Sequence, residues 1–100
     1  MSKEVEFSIE AQEDLARLEA FLITQASSRV LQRFKQEFLR AAAMLSDELT
    51  EFPYVEGKEP LRKMIHWKYL YFHLELADRV TVVRIFSKKE DWVNELQLAD

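Results

Sequence analysis

The sequence predicts an α+β fold in the order β-α-α-β-β-β, a helical hairpin packed on a small, mainly antiparallel sheet. Three patterns predict it. A short alternating segment opens the chain, two amphipathic stretches at helical spacing follow, and from Pro60 the apolar period shortens to two. Helices segregated in sequence from a run of strands give the α+β arrangement.

Val5, Phe7 and Ile9 alternate with Glu6 and Ser8, the pattern of a half-buried strand. Ser8 is placed to cap a helix, since its hydroxyl can accept from an orphan N–H of the first turn. Glu10, Glu13 and Asp14 suit the positive end of that helix's dipole. Ala11, Leu15, Leu18 and Leu22 recur at helical spacing, with Phe21 widening the stripe, so the first helix is expected over residues 9–25. Ala26-Ser27-Ser28 breaks it, and either serine can cap the next helix. Val30, Phe34, Phe38, Ala41, Ala42, Leu45 and Leu49 then mark a second helix running to about Leu49. The short link makes the two helices an antiparallel hairpin.

Phe52 to Gly57 reads as a connecting loop, interrupted by Pro53 and Gly57 for different backbone reasons. Beyond it, Leu61, Lys63 and Ile65 alternate with Arg62, Met64 and His66. Trp67 to Leu76 is aromatic and apolar, with Leu70, Phe72, Leu74 and Leu76 on one parity. Ala77-Asp78-Arg79 is a plausible turn, and Val80 to Phe86 is a β-branched strand. Lys88 to Leu98 reads as a short helix or an extended tail, flexible from about residue 93. No repeat or linker divides the chain, so residues 1–100 are expected to form one domain.

Composition narrows the function classes. With 48% apolar and 32% charged residues the balance is that of an ordinary globular domain. Cysteine is absent, which removes disulfides, thiolate metal sites and a cysteine nucleophile together and fits a reducing cytosol. The charged start MSKEVEFS lacks an apolar signal core, and no apolar run approaches the roughly 20 residues that span a membrane. The expectation is a cytoplasmic protein without a membrane partner. A net charge of −4 argues against a dedicated nucleic-acid binder. Yet the bases gather at Lys58, Arg62, Lys63 and Lys68, then at Arg84, Lys88 and Lys89, which leaves room for a local basic surface.

Several residues invite a chemical reading. Strand parity places Arg84 with Val80, Val82 and Phe86, so its charge needs a partner, either internal, such as Glu75, or brought by another protein. His66 and His73 titrate near neutrality and could serve as a general base. On one continuous strand they would face opposite sides, which disfavours a shared metal site; structural histidines are the simpler reading. Trp67, Tyr69, Tyr71 and Phe72 could stack bases, although aromatics also favour strands and cores. Trp92, isolated in a charged tail, either docks back on the domain or anchors a partner. There is no glycine-rich phosphate loop, zinc-ligand spacing or nucleophile elbow, so no cofactor or metal is expected.

The ordered set of motifs resembles the RelE/ParE toxin superfamily of type II toxin–antitoxin pairs. Val5 to Ala11 followed by Asp14-Leu15 is similar to that family's first strand and helix start. Leu49, Pro53 and Gly57 are similar to its helix-to-sheet connection. Leu61-Arg62 and Trp67-Lys68-Tyr69-Leu70-Tyr71 resemble its "L-R" and "Y-R-x-x-Y" strands. Val80 to Ile85 with Lys88 to Trp92 resembles its last strand and basic tail.

The resemblance implies an antitoxin partner, with a helical, acidic segment lying along the helices and sheet edge, and Arg62, Lys63 and Arg84 as its expected contacts. For the ParE branch it implies a binding inhibitor of DNA gyrase, not an enzyme, with Lys88, Lys89 and Trp92 as target contacts. For the RelE branch it implies ribosome-dependent, metal-independent cleavage of mRNA. Arg62, Lys68, Arg84 and Lys89 would then stabilise charge at phosphorus. A third implied reading is a non-toxic binding member. The ParE branch is favoured, because the tail carries Lys88, Lys89 and Trp92 and no tyrosine follows Tyr71; Lys68, where the family usually carries Arg, weighs against nuclease activity.

Overall fold

The computed structural model describes residues 2–96. In chain order the elements are β1 (Glu4–Phe7), α1 (Ile9–Gln25), α2 (Ser28–Ser46), β2 (Arg62–His66), β3 (Tyr69–Glu75), β4 (Arg79–Ser87) and the single turn α3 (Trp92–Glu95). The strands form one mixed sheet in the order β1-β4-β3-β2. β1 runs parallel to β4, and the other two pairings are antiparallel.

The caps follow the sequence reading. Ser8 Oγ accepts from the Ala11 N–H at 3.1 Å and starts α1. Ser27 Oγ accepts from the Val30 N–H at 3.3 Å and starts α2. The end of α2 differs from expectation. The Asp47 carboxylate accepts from the Leu49 N–H at 2.9 Å and the Thr50 hydroxyl at 2.8 Å. Those local bonds compete with another helical turn, so α2 stops at Ser46 and Leu49 is 95% exposed. Phe21 is also exposed, because the buried face of α1 is Ala11, Asp14, Leu18 and Leu22.

The hairpin covers one face of the sheet. Between them lie Leu18, Phe34, Leu45 and the cross-strand row Met64, Tyr71, Ile85. The opposite face carries the rows Lys63, Phe72, Arg84 and Ile65, Leu70, Phe86. Val55 from the long loop and Trp92 from α3 pack over this second face.

Two irregularities in the sheet change which side chains share a face. At Phe72/His73 the register with β4 shifts, so Phe72 opposes Arg84 while His73 opposes Val82. The extra residue, Val83, reverses the parity of β4. Val80, Val82 and Ile85 join the core under the helices, whereas Phe86 joins the cluster on the opposite face. Arg84, in the row with Phe72, therefore does not share a face with Val80 and Val82 as simple alternation predicts. The second irregularity is the turn Trp67-Lys68, which ends β2 and starts β3 two residues later than a continuous strand would. It places His66 and His73 on separate strands but on the same, helix-covered face, at opposite ends of the β2–β3 pair. Of the expected tail the structure describes the helical turn α3, and residues 97–100 lie outside the described residues.

His73 is fully buried, with Phe52 edge-on at 5.6 Å. Its Nδ1–H donates to the Tyr71 carbonyl at 3.3 Å, and Nε2 has no hydrogen-bond partner. Burial disfavours the imidazolium and holds the pKa below its ordinary 6.5. A histidine with a depressed folded pKa contributes full stability above the unfolded value and loses it as pH falls. Urea denaturation should therefore show stability declining from about pH 6.5 downward. His73→Leu should flatten that slope and add about 1 kcal/mol at pH 5.5, by removing an unsatisfied buried nitrogen.

Candidate functional site

Three strand ends meet at one edge of the sheet, and they carry exposed lysines. Lys68 lies in the β2–β3 turn, and its carbonyl accepts from the Lys88 N–H at 3.0 Å. Beyond β4 the backbone makes a tight turn, with the Glu90 N–H donating to the Ser87 carbonyl at 3.0 Å. Ser87 Oγ accepts from the Lys89 N–H at 3.2 Å, and Glu90 Oε1 accepts from the Ser87 N–H at 2.7 Å. Glu90 Oε2 is held in turn by Arg17 of α1. The turn is thus pinned from both sides and presents Lys88 and Lys89, both exposed, at its tip. Neither lysine has an ion-pair partner among the described residues.

Trp92 departs from its expected role as a free target contact. Its ring packs on Phe72 at 5.5 Å, with the Lys63 ammonium 4.9 Å from its centroid. It closes the outer face of the sheet, and Lys63 is held over it. The structure therefore brings together Lys68, Lys88 and Lys89, but not Trp92, as an open surface.

Arg84 has its partner inside the chain, and that partner is Asp14, not Glu75. Asp14 Oδ2 accepts from Arg84 Nε at 2.8 Å and from the Ile85 N–H at 2.9 Å. Asp14 Oδ1 accepts from the Arg84 and Arg17 guanidinium groups, each at 3.1 Å. Burial pushes the Asp14 carboxyl up, but these donors together outweigh it and hold its pKa below 3.8. The guanidinium of Arg84 also lies 4.6 Å from the Phe86 ring centroid. Its charge is spent within the fold.

Arg62 is similarly engaged at the far end of β2. It donates to the Phe52 carbonyl at 2.5 Å and the Tyr54 hydroxyl at 3.0 Å, and stacks 4.0 Å over the Tyr54 ring. The four cations expected for RNA cleavage therefore do not converge. Arg62 and Lys68 sit at opposite ends of β2, Arg84 is locked to Asp14, and Lys89 stands on the turn beyond β4. Nor do Arg62, Lys63 and Arg84 form one open antitoxin surface, since each is already bonded or stacked.

A second surface lies on the hairpin. Leu15 and Ala16 of α1 and Phe34, Phe38 and Leu39 of α2 line a shallow apolar cleft of about 330 Å³, with Glu19 and Lys35 beside it. Leu39 is 67% exposed.

These features can be compared with known proteins. Residues 5–92 match the family model described as ParE toxin of type II toxin-antitoxin system, parDE. The chain belongs to the ParE toxin family. Among solved structures it is similar to a chain of the chromosomal ParDE TA system from P. aeruginosa. That match has a TM-score of 0.71 at 10% identity and covers 85% of this chain and 95% of that one. It is also similar to the conserved hypothetical protein HP0894 from Helicobacter pylori, with a TM-score of 0.59 at 22% identity, covering 90% and 98%. At such identities the likeness concerns the fold alone. No curated protein sequence matches the chain. The chain thus has the family's helical hairpin on a four-stranded mixed sheet, and family membership implies a cognate antitoxin. Among the described residues no helix is long and apolar enough to cross a membrane.

Within this ParE-family chain one cluster escaped the sequence reading. Glu37, buried on α2, accepts from Arg33 at 2.6 Å, Arg40 at 2.7 Å and His66 at 2.9 Å. The Arg33 bond first, with help from His66 and Arg40, holds the carboxyl below its ordinary pKa of 4.5. The spacing Arg33, Glu37, Arg40 was a readable helical signal. His66 joins only through the tertiary fold.

The Asp14 contacts set a testable expectation. Asp14→Ala leaves Arg84 and the Ile85 N–H without their acceptor, and should lower unfolding free energy in urea by about 3–5 kcal/mol. Because the folded pKa is depressed, the parent's advantage should be present above pH 3.8 and fade as pH falls through the lower folded value.

Proposed function

We propose that this chain acts as the toxin of its pair by binding and inhibiting DNA gyrase, and that a cognate antitoxin neutralises it. The observation that carries this reading is the two-lysine turn. Two exposed cations without ion-pair partners among the described residues stand on a backbone fixed by Ser87, Glu90 and Arg17. Preorganised charge of this kind favours recognition, because little is lost in ordering it on binding. The scattering of Arg62, Lys68, Arg84 and Lys89 weighs against the alternative of ribosome-dependent mRNA cleavage. That chemistry needs several cations around one phosphorus. A binding inhibitor working in the cytoplasm is the reading consistent with both.

The apolar cleft between α1 and α2 is where an amphipathic antitoxin helix fits best. Leu15, Phe34, Phe38 and Leu39 offer an apolar floor, and Lys35 beside it suits an acidic flank. On this reading the antitoxin lies on the hairpin rather than on Arg62, Lys63 and Arg84.

Two measurements check the proposal. Induction of the chain alone should reduce DNA synthesis before protein synthesis in pulse-labelled cells. Lys88→Glu combined with Lys89→Glu should abolish growth arrest while leaving the circular dichroism and melting temperature unchanged. An earlier fall in translation, or full toxicity in the double variant, would remove gyrase or the turn from the mechanism. For the cleft, Leu39→Glu should weaken antitoxin binding about tenfold or more by calorimetry, with toxicity retained.

A further inference from the structure

The β2–β3 connection consists of Trp67 and Lys68, between the paired residues His66 and Tyr69. Trp67 has φ of 56°, in the left-handed region. The first position of a two-residue hairpin with positive φ suits glycine, and a bulky side chain there is strained. The chain has only one glycine, and it stands elsewhere, at Gly57. This turn instead carries the largest side chain available.

Packing accounts for only part of that choice. The half-buried Trp67 ring packs at the margin of the helix-covered core and tilts against Tyr69 at 5.7 Å. Two cations also face it, the Arg33 guanidinium at 5.5 Å and the Lys68 ammonium at 5.2 Å from its centroid. Arg33 shares its one carboxylate, Glu37, with Arg40 and His66, so the cluster keeps an excess of positive charge. Through the Lys88 N–H to Lys68 carbonyl bond the ring sits at the same edge as the two-lysine turn. Backbone strain persists where the surrounding structure overrides it, and it concentrates at functional positions.

We propose that Trp67 is the central contact of the target-binding edge, seated with Arg33, Lys68, Lys88 and Lys89 against an acidic protein surface. The inference rests on the reading above that this edge meets the target. Tryptophan and arginine dominate the energetics of protein interfaces, and rim lysines steer association with a surface of opposite charge. A protein partner fits better than a nucleic acid. The chain as a whole carries −4, which opposes a polyanion at long range, while Lys68, Lys88 and Lys89 are exposed together at this one edge.

Trp67→Gly tests this directly, because glycine accepts the observed φ without strain. The variant should melt within about 5 °C of the parent, since relief of strain offsets the lost ring contacts. It should bind assembled gyrase about tenfold or more weakly and lose growth arrest. If the glycine variant fails to fold, Trp67→Asn, which also tolerates positive φ, replaces it. Retained toxicity in either folded variant overturns the proposal, and so does failure of both to fold, which would make the ring structural. Growth arrest by a parent that does not bind gyrase refutes the gyrase reading alone, and the toxicity of Trp67→Gly still decides the role of the ring. Tight binding of a single-stranded oligonucleotide by the parent, lost in the variant, overturns the choice of a protein partner. A parent that neither binds gyrase nor arrests growth overturns both.

Discussion

The Asp14 carboxylate meets β4 at the point where that strand loses its neighbour. β1 pairs with β4 only through Val82, so residues 83–87 would present an open edge. Side chains close it. The Val83 carbonyl accepts from Ser8 Oγ, the Ile85 N–H donates to Asp14, the Ile85 carbonyl accepts from Arg17, and the Ser87 N–H donates to Glu90. Four polar side chains thus stand in for a missing strand, and three of them also tie α1 to the sheet. An unpaired edge is a template for pairing with other chains, and this arrangement removes it without adding backbone. Asp14 is central because it bonds the backbone and pairs with Arg84 and Arg17 at once, with Glu90 supplying the second negative charge at Arg17. A buried ion pair is costly to assemble, but the added N–H bond and the geometry offset that cost.

The same contacts determine which cations face outward. Arg17 and Arg84 are consumed in holding β4, and Arg62 in holding the long loop to β2. What remains open at one edge is Lys68, Lys88 and Lys89, flanking a strained tryptophan. The basic character noticed in the sequence is therefore divided: Arg62 and Arg84 build the fold, Lys63 covers Trp92, and Lys68, Lys88 and Lys89 are displayed. That division follows from side-chain chemistry, since the planar fork of arginine makes several directed bonds and lysine presents a mobile point charge.

Helix starts, the order of elements along the chain and the fold class were legible because they depend on local signals. Ser8 and Ser27 cap where a serine before an apolar stripe is expected to cap, and Val80 to Phe86 forms a strand because of its β-branched run. The failures came where a tertiary contact or an irregular residue overrides the period. Asp14 read only as an acid suited to the positive end of the helix dipole, and its pairing with Arg84 depends on a strand 70 residues away. The Val83 bulge reversed the parity of Arg84, and no turn residue announced it. Trp67 hid a hairpin turn, because a residue suited to strands occupies a glycine position. At the site, the exposed lysines were legible as a cluster; docking of Trp92 back on the domain was one of two readings the sequence left open, and Phe72 as its seat depends on the tertiary fold.

The parallel pairing of β1 with β4 has a consequence for synthesis. Ser8 reaches its hydrogen-bond partner Val83 across 75 positions of chain. The ribosome takes about 4–15 s to make that stretch at bacterial rates. Until then β1 has no strand to pair with, α1 has no strand edge to cover, and the two-lysine turn does not exist. Nearly the whole chain must be made before the sheet can close, so a truncated chain lacks both the β1–β4 pairing and the lysine-bearing turn.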